Sequence, residues 1–332
     1  MSKLSIIGGG GWGTALACVL AQRFDHVSLW MHEADLADRT QRTRVNDVFL
    51  PGFELTGNIQ SGSCLEGALA EADVVISAMP SHVVRSVYMQ MAPLLKPGTP
   101  LVSATKGLEA GTLDRVSEVI RAVVGPAFPV AVLTGPTFAR EVAAGLPTAV
   151  VAASSDQDLA QDLQQRFSGP TFRVYASADP IGAEIGGALK NVIAIGAGIC
   201  DGLQLGHNAL AALITRGLAE LTRLAVASGG RQETMAGLAG LGDLVLTCTG
   251  DLSRNRQVGM KLAQGLQLRE IVSSTRTVAE GVKTTAVAIE LGARLGVELP
   301  IAQQMHTVLN EGRAPAEAIR VLMGRALKYE GD

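Results

Sequence analysis

The sequence predicts an α/β domain, doubly wound around a mostly parallel sheet, followed by an all-α domain. Three observations lead there. Short apolar, β-branched runs alternate with helical periods through the first half of the chain, no strand pattern recurs beyond about residue 177, and a strand, a glycine-rich turn and a helix follow one another at the start. Strands that alternate with helices form a parallel sheet, because each crossover helix must carry the chain back over one face.

Residues 3–7 read as a buried strand and 14–21 as a helix packed on a sheet. Between them, Gly8-Gly9-Gly10-Gly11-Trp12-Gly13 fits G-x-G-x-x-G through Gly8, Gly10 and Gly13. A pyrophosphate needs close backbone approach and the unpaired N–H groups of a helix start, so the unit reads as a Rossmann-type dinucleotide fingerprint. A glycine-rich turn closing an ordinary βα unit is the alternative.

The remaining elements follow in order. A strand at 27–30 leads to a helix at 34–44, broken by Leu50-Pro51-Gly52. A strand at 74–77 ends at Met79-Pro80-Ser81, and a helix at 83–95 closes on Lys96-Pro97-Gly98. A strand at 100–103 runs into Thr105-Lys106-Gly107, and a helix is expected at 112–124. A strand at 130–133 stops at Gly135-Pro136, and strands at 148–153 and 171–175 flank a helix at 157–167. Helical periods then dominate at 180–198, 208–228, 252–264, 282–295, 301–310 and 315–326, with Gly229-Gly230 and Gly296 as stops. The expected domains are 1–177 and 178–332.

Apolar residues make up 47% of the 332-residue chain and charged residues 18%, the balance of a folded protein and not a disordered one. The net charge of −3 and the lack of a Lys/Arg run argue against nucleic acid as a partner. No uncharged apolar stretch reaches the roughly 18 residues of a membrane span. The chain enters its first strand at once, so no signal peptide is expected. Cys18, Cys64, Cys200 and Cys248 lack C-x-x-C spacing and read as buried thiols of a cytoplasmic protein. The histidines show no ligand spacing, so no metal is expected.

Ligands of an open α/β sheet bind outside the carboxyl ends of its strands. The glycine turn, 79–81, 105–107 and 134–137 all fall there. Lys106 follows a buried strand, which sets its amine at the crevice rim; a solvated loop lysine is the alternative. Lys190 shares a helix face with Gly186, Gly187 and Ala194; two mid-helix glycines, at roughly 1 kcal/mol each against Ala, point to close approach, and bare surroundings would leave room for a ligand beside the amine. Burial and a nearby cation would lower its pKa and suit it to proton transfer, although such a lysine can also snorkel to water. Asp243, in an apolar glycine-rich segment, needs a partner if buried, and Lys190 is a candidate; it could instead cap a helix at 244–249. Ser253-Arg254-Asn255 at a helix start could hold a phosphate or be a solvated cap. Glu280 could accept from a ribose hydroxyl or be a surface acid.

The chain resembles the bacterial NAD(P)-dependent sn-glycerol-3-phosphate dehydrogenases. The resemblance rests on residues 10–17, 105–107, 135–142, 189–192, 212–217, 238–244 and 253–255, in that family's order. It implies reduction of dihydroxyacetone phosphate to sn-glycerol 3-phosphate with NAD or NADP, supplying phospholipid synthesis. It also implies roles. Gly11, Trp12, His32, Phe49, Ala139, Val278 and Glu280 would bind the dinucleotide. Lys106 and Arg254 would touch both cofactor and substrate. Gly135, Thr137, Asn191, Asp243, Ser253 and Asn255 would line the substrate, and Lys190 would be the proton acceptor, helped by Lys106 and Asp243. Phe49 stands where the family commonly has Tyr. Glu33, about 20 residues beyond Gly13, is an acid placed to favour the free ribose hydroxyl of NAD, although His32 beside it could tolerate a phosphate. A 3-hydroxyacid or 6-phosphogluconate-type dehydrogenase and a non-catalytic dinucleotide sensor are the competing readings. A homodimer is possible.

Overall fold

A computed structural model of the chain describes residues 1–273, 279–327 and 329–330. The strands are β1 (Lys3–Ile7), β2 (His26–Trp30), β3 (Ile59–Gly62), β4 (Val74–Ser77), β5 (Leu101–Ser103), β6 (Val130–Thr134), β7 (Thr148–Ala153) and β8 (Phe172–Ser177). They make one eight-stranded sheet in the order β3-β2-β1-β4-β5-β6-β7-β8. Every neighbouring pair is parallel except β6 with β7. The chain changes direction across the sheet between β1 and β4, and an open sheet forms its binding crevice at such a switch point.

The first half also holds α1 (Gly11–Leu20), α2 (Ala34–Thr43), α3 (Leu65–Leu69), α4 (Val84–Met91), α5 (Val116–Val124), α6 (Ala139–Ala143) and α7 (Gln157–Phe167). Alternation along the strands feeds two cores. Leu4 and Ile6 of β1 join one with Leu29 and Ile76, while Ile7 joins the other with Val75, Leu101 and Tyr88. Helices therefore cover both faces, as the near-continuous apolar strands require.

Several expectations need correction. β3 has no sequence signal of its own, because only Ile59 of its four residues is buried. α5 starts at Val116, four residues after its expected start, because Leu108 bridges back to Arg115 around Leu113, whose φ is +65°. Of the cysteines only Cys200 and Cys248 are buried; Cys64 is exposed and Cys18 half-buried.

Beyond β8 the described residues contain no strand. They form α8 (Pro180–Gly202), α9 (Gly206–Ala227), α10 (Gln232–Met235), α11 (Asp243–Thr249), α12 (Arg254–Ala263), α13 (Leu268–Ser273), α14 (Glu280–Leu295), α15 (Pro300–Asn310) and α16 (Pro315–Met323). α8 is long and apolar enough to cross a bilayer, but it is the central helix of this half and is buried by its neighbours. Its glycines make that packing possible. A Cβ on Gly198 would collide with the Arg256 carbonyl of α12, and one on Gly259 of α12 with the Ile195 carbonyl of α8. Two backbones in contact justify glycines that cost about 1 kcal/mol each inside a helix.

Candidate active site

Lys106 stands three residues beyond β5, where Thr105 anchors the chain by donating to the Met79 carbonyl at 2.9 Å. Its amine stands beyond the carboxyl end of this interior strand and donates to the Gly135 carbonyl at 3.3 Å, to Thr137 Oγ1 at 3.4 Å and to Asp243 Oδ2 at 2.9 Å. Lys190, midway along α8, donates to the other oxygen of that carboxylate and to Thr247 Oγ1 at 2.9 Å. Asp243 is 0% exposed and opens α11 as its first helical residue. It is not the helix cap; its side chain turns inward to the two amines. One buried charge shared by two buried or half-buried cations is the arrangement that offsets its desolvation.

The glycines of α8 serve close approach, as expected of glycines within a helix. A Cβ on Gly187 would lie 2.9 Å from Thr134 Oγ1 and 3.9 Å from Lys106 Cγ, and one on Gly186 would lie 2.7 Å from the Ala239 carbonyl. Their space is taken by the end of β6 and by residue 239, which brings the sheet and α8 together rather than opening room beside the lysine.

Burial lowers the pKa of Lys190 to about 7; the Asp243 carboxylate opposes that shift and the Lys106 charge adds to it. An amine that titrates near neutrality holds both proton states at working pH. Burial also raises the pKa of Glu280 above its ordinary value, and the charges of Arg254, Lys106 and Lys190 oppose that shift.

Ser253 caps α12 by accepting from the Arg256 amide at 3.3 Å. Arg254 begins that helix, exposed. Asn255 donates to Asn191 Oδ1 at 2.9 Å and accepts from the Gly281 amide at 3.0 Å, which ties α8, α12 and α14 together beneath the amines.

The dinucleotide turn sits at the carboxyl end of β1. Gly8 has φ +121°, and a Cβ on Gly13 would collide with its carbonyl. Gly10 is open to solvent space, while a Cβ on Gly11 would lie 2.9 Å from the Phe49 carbonyl and 3.9 Å from Ala139 Cβ. Gly11, Phe49 and Ala139 thus meet at the start of α1. The buried indole Nε1 of Trp12 has no hydrogen-bond partner, a donor suited to a bound ligand. His32 stacks at a tilt on Trp30, with ring centroids 6.0 Å apart, and Glu33 is exposed at the start of α2 without capping it. Val278 lies outside the described residues.

Thr247, which touches the Lys190 amine, was not foreseen. Its signal is faint: it lies one turn after Asp243 and donates to the Asp243 carbonyl at 2.6 Å. Asn46, which braces the glycine turn, was missed as well.

Models of the NAD-dependent glycerol-3-phosphate dehydrogenase N-terminus and C-terminus match residues 3–160 and 179–320. A Koribacter versatilis protein named glycerol-3-phosphate dehydrogenase, NAD(P)+, is 55% identical over 98% of either chain. A Geobacter sulfurreducens protein of the same name is 53% identical over 99% of this chain and 98% of its own. The crystal structure of glycerol-3-phosphate dehydrogenase from Coxiella burnetii superposes with a TM-score of 0.94 at 41% identity, covering 98% of this chain and 99% of that one.

Proposed function

This chain belongs to the NAD-dependent glycerol-3-phosphate dehydrogenase family, and from that premise we propose how its residues share the reaction. It is an oxidoreductase that interconverts dihydroxyacetone phosphate and sn-glycerol 3-phosphate with NAD or NADP. The bound dinucleotide supplies or takes up the hydride. Gly8, Gly10, Gly11, Trp12, Gly13, Phe49 and Ala139 hold it in this reading; the open turn at Gly10 and the unpartnered Trp12 indole fit that role.

In the reducing direction, Lys190 donates its Nζ proton to the substrate oxygen, and in the oxidising direction it takes that proton back. Lys106 stabilises charge developing on the same oxygen. Asp243 holds both amines in place, and Thr247 fixes a second direction of the Lys190 ammonium, which leaves the third for the substrate oxygen. Arg254, with Ser253 and the start of α12, anchors the phosphate. Gly135 and Thr137 line the substrate side, with Asn191 and Asn255 below, and Glu280 faces the cofactor. The single observation that carries this reading is the convergence of Lys106 and Lys190 on Asp243.

We place the domain boundary at residue 177, supported by two apolar cores that lie mostly on either side of it, with Leu108 and Leu113 joining the second and a small cluster of Val151, Ala153, Ala183 and Ala239 across the boundary. We also propose NAD as the preferred cofactor. Glu33 is free to meet a ribose hydroxyl, while Arg39 is held by Asp47 at 3.0 Å and Arg44 by the Leu55 carbonyl at 3.1 Å, so neither is poised for a 2′-phosphate. A cytoplasmic homodimer completes the proposal, and light scattering measures its mass.

The test mixes protein, reduced dinucleotide and dihydroxyacetone phosphate and follows the nicotinamide absorbance. Turnover that vanishes in Lys190→Ala, with dinucleotide still bound, supports the assignment. Near-normal turnover removes Lys190 from the chemistry.

A further inference from the structure

We propose that Asn46 is a positioning residue that aims the peptide backbone of the dinucleotide turn. The inference rests on the reading of that turn as the pyrophosphate site. Asn46 is 0% exposed and lies on the loop that follows α2, far from the turn in sequence. Its Nδ2 donates to the Gly9 carbonyl and to Thr14 Oγ1, both at 2.8 Å, and its Oδ1 accepts from the Phe49 amide at 3.1 Å. Both N–H groups of the carboxamide are therefore used.

The peptide between Gly9 and Gly10 is trans, so the Gly9 carbonyl and the Gly10 N–H point to opposite sides. With the carbonyl held inward on Asn46, the N–H is turned outward. Gly10 itself is uncrowded, with no atom within 4 Å of the place a Cβ would take, so a ligand can come close to this backbone. A run of glycines from Gly8 to Gly11 leaves this peptide free to flip at little steric cost. Flipped, it would present a carbonyl oxygen to a phosphate and repel it. A buried donor from elsewhere in the fold is what selects the productive orientation. The same side chain also seats Phe49, whose carbonyl packs on Gly11.

Asn46→Asp keeps the size and removes the donor, leaving an acceptor against the Gly9 carbonyl. The probes are NADH, ADP and adenosine, the last lacking any phosphate. We expect Kd for NADH and for ADP to rise roughly tenfold, as for a buried carbonyl that loses its shorter donor and keeps only Thr14 Oγ1 at 3.4 Å. Adenosine binding should not change, and kcat at saturating NADH should hold. An unchanged Kd for NADH overturns the assignment, and so does an equal loss for adenosine, which would mean the loop has merely loosened. If Asn46→Asp does not fold, Thr14→Val removes at constant volume the hydroxyl that orients the carboxamide and itself donates to the Gly9 carbonyl at 3.4 Å, and an unchanged NADH-to-adenosine ratio there overturns it too. Wild-type protein that binds no NADH refutes the dinucleotide reading itself, a result distinct from the failure of Asn46 alone.

Discussion

Lys106 and Lys190 donate to opposite oxygens of a single carboxylate, Asp243, that solvent does not reach. One amine comes from the carboxyl end of the sheet, beyond the interior strand β5, and the other from the central helix, so the carboxylate joins the two halves of the molecule at the site. Replacing Asp243 by Asn leaves two like charges facing each other without their shared partner. We expect the variant to lose about 3–5 kcal/mol of stability, the cost of breaking a buried pair, together with most of its turnover. Denaturant titration and initial rates measure the two effects.

Lys190→Ala should lower kcat by about 10²–10⁴, the range of general acid–base catalysis. Its Kd for NADH should stay near the wild-type value, because Lys190 lies on α8 and not on the glycine turn. A loss confined to KM would instead assign the lysine to binding.

The Lys190 pKa of about 7 sets opposite pH limbs for the two directions. Reduction needs the ammonium, so its kcat/KM should fall as pH rises through about 7. Oxidation needs the neutral amine, so its kcat/KM should fall as pH drops through the same point. The Lys106 charge is one cause of the depression, so Lys106→Met should move both limbs to higher pH. Rate profiles in both directions check the sign.

Glu33→Arg should exchange a group suited to a free ribose hydroxyl for one suited to a phosphate. The ratio of kcat/KM for NADPH to that for NADH should rise by roughly tenfold or more, the scale of one charge-assisted hydrogen bond. An unchanged ratio would place the specificity elsewhere.

Glu220 on α9 provides a stability test away from the site. It accepts from the Ile301 and Ala302 amides at the start of α15, at 2.6 and 3.3 Å, and burial raises its pKa to about 7. Folding therefore favours its protonated form. The stability that this provides is complete below about pH 4.5, the ordinary carboxylate value, and is lost as pH rises to about 7. Glu220→Gln cannot titrate, so relative to wild type it should gain up to about 3 kcal/mol between pH 4.5 and 8. Chemical denaturation at both pH values measures the difference; equal offsets at both would contradict it.

Much of this protein is written locally. The strand, glycine turn and helix at residues 3–20 follow from apolar period and glycine spacing alone, as do the change to helices after 177 and the presence of a lysine on each side of the crevice. Residues such as Ile6, Gly13 and Leu16 meet requirements imposed by their immediate neighbours in the chain. The edge strand β3 escaped because a strand with one buried residue carries almost no pattern. What only the tertiary structure decided is where the polar groups aim. A buried Asp243 needs a partner and Lys190 is the candidate, but nothing near Lys190 in the chain says that its amine also meets Thr247 or that Lys106 shares the carboxylate, and nothing near Gly9 says that Asn46 braces its carbonyl. Those pairings depend on how closely α8 can lie against the sheet end and α12, a distance set by Gly187, Gly198 and Gly259 acting together. Local propensity chooses an element, but a side chain's partner is chosen by the packing of elements far apart in sequence, and that packing minimises buried voids and unpaired polar groups over the whole molecule at once.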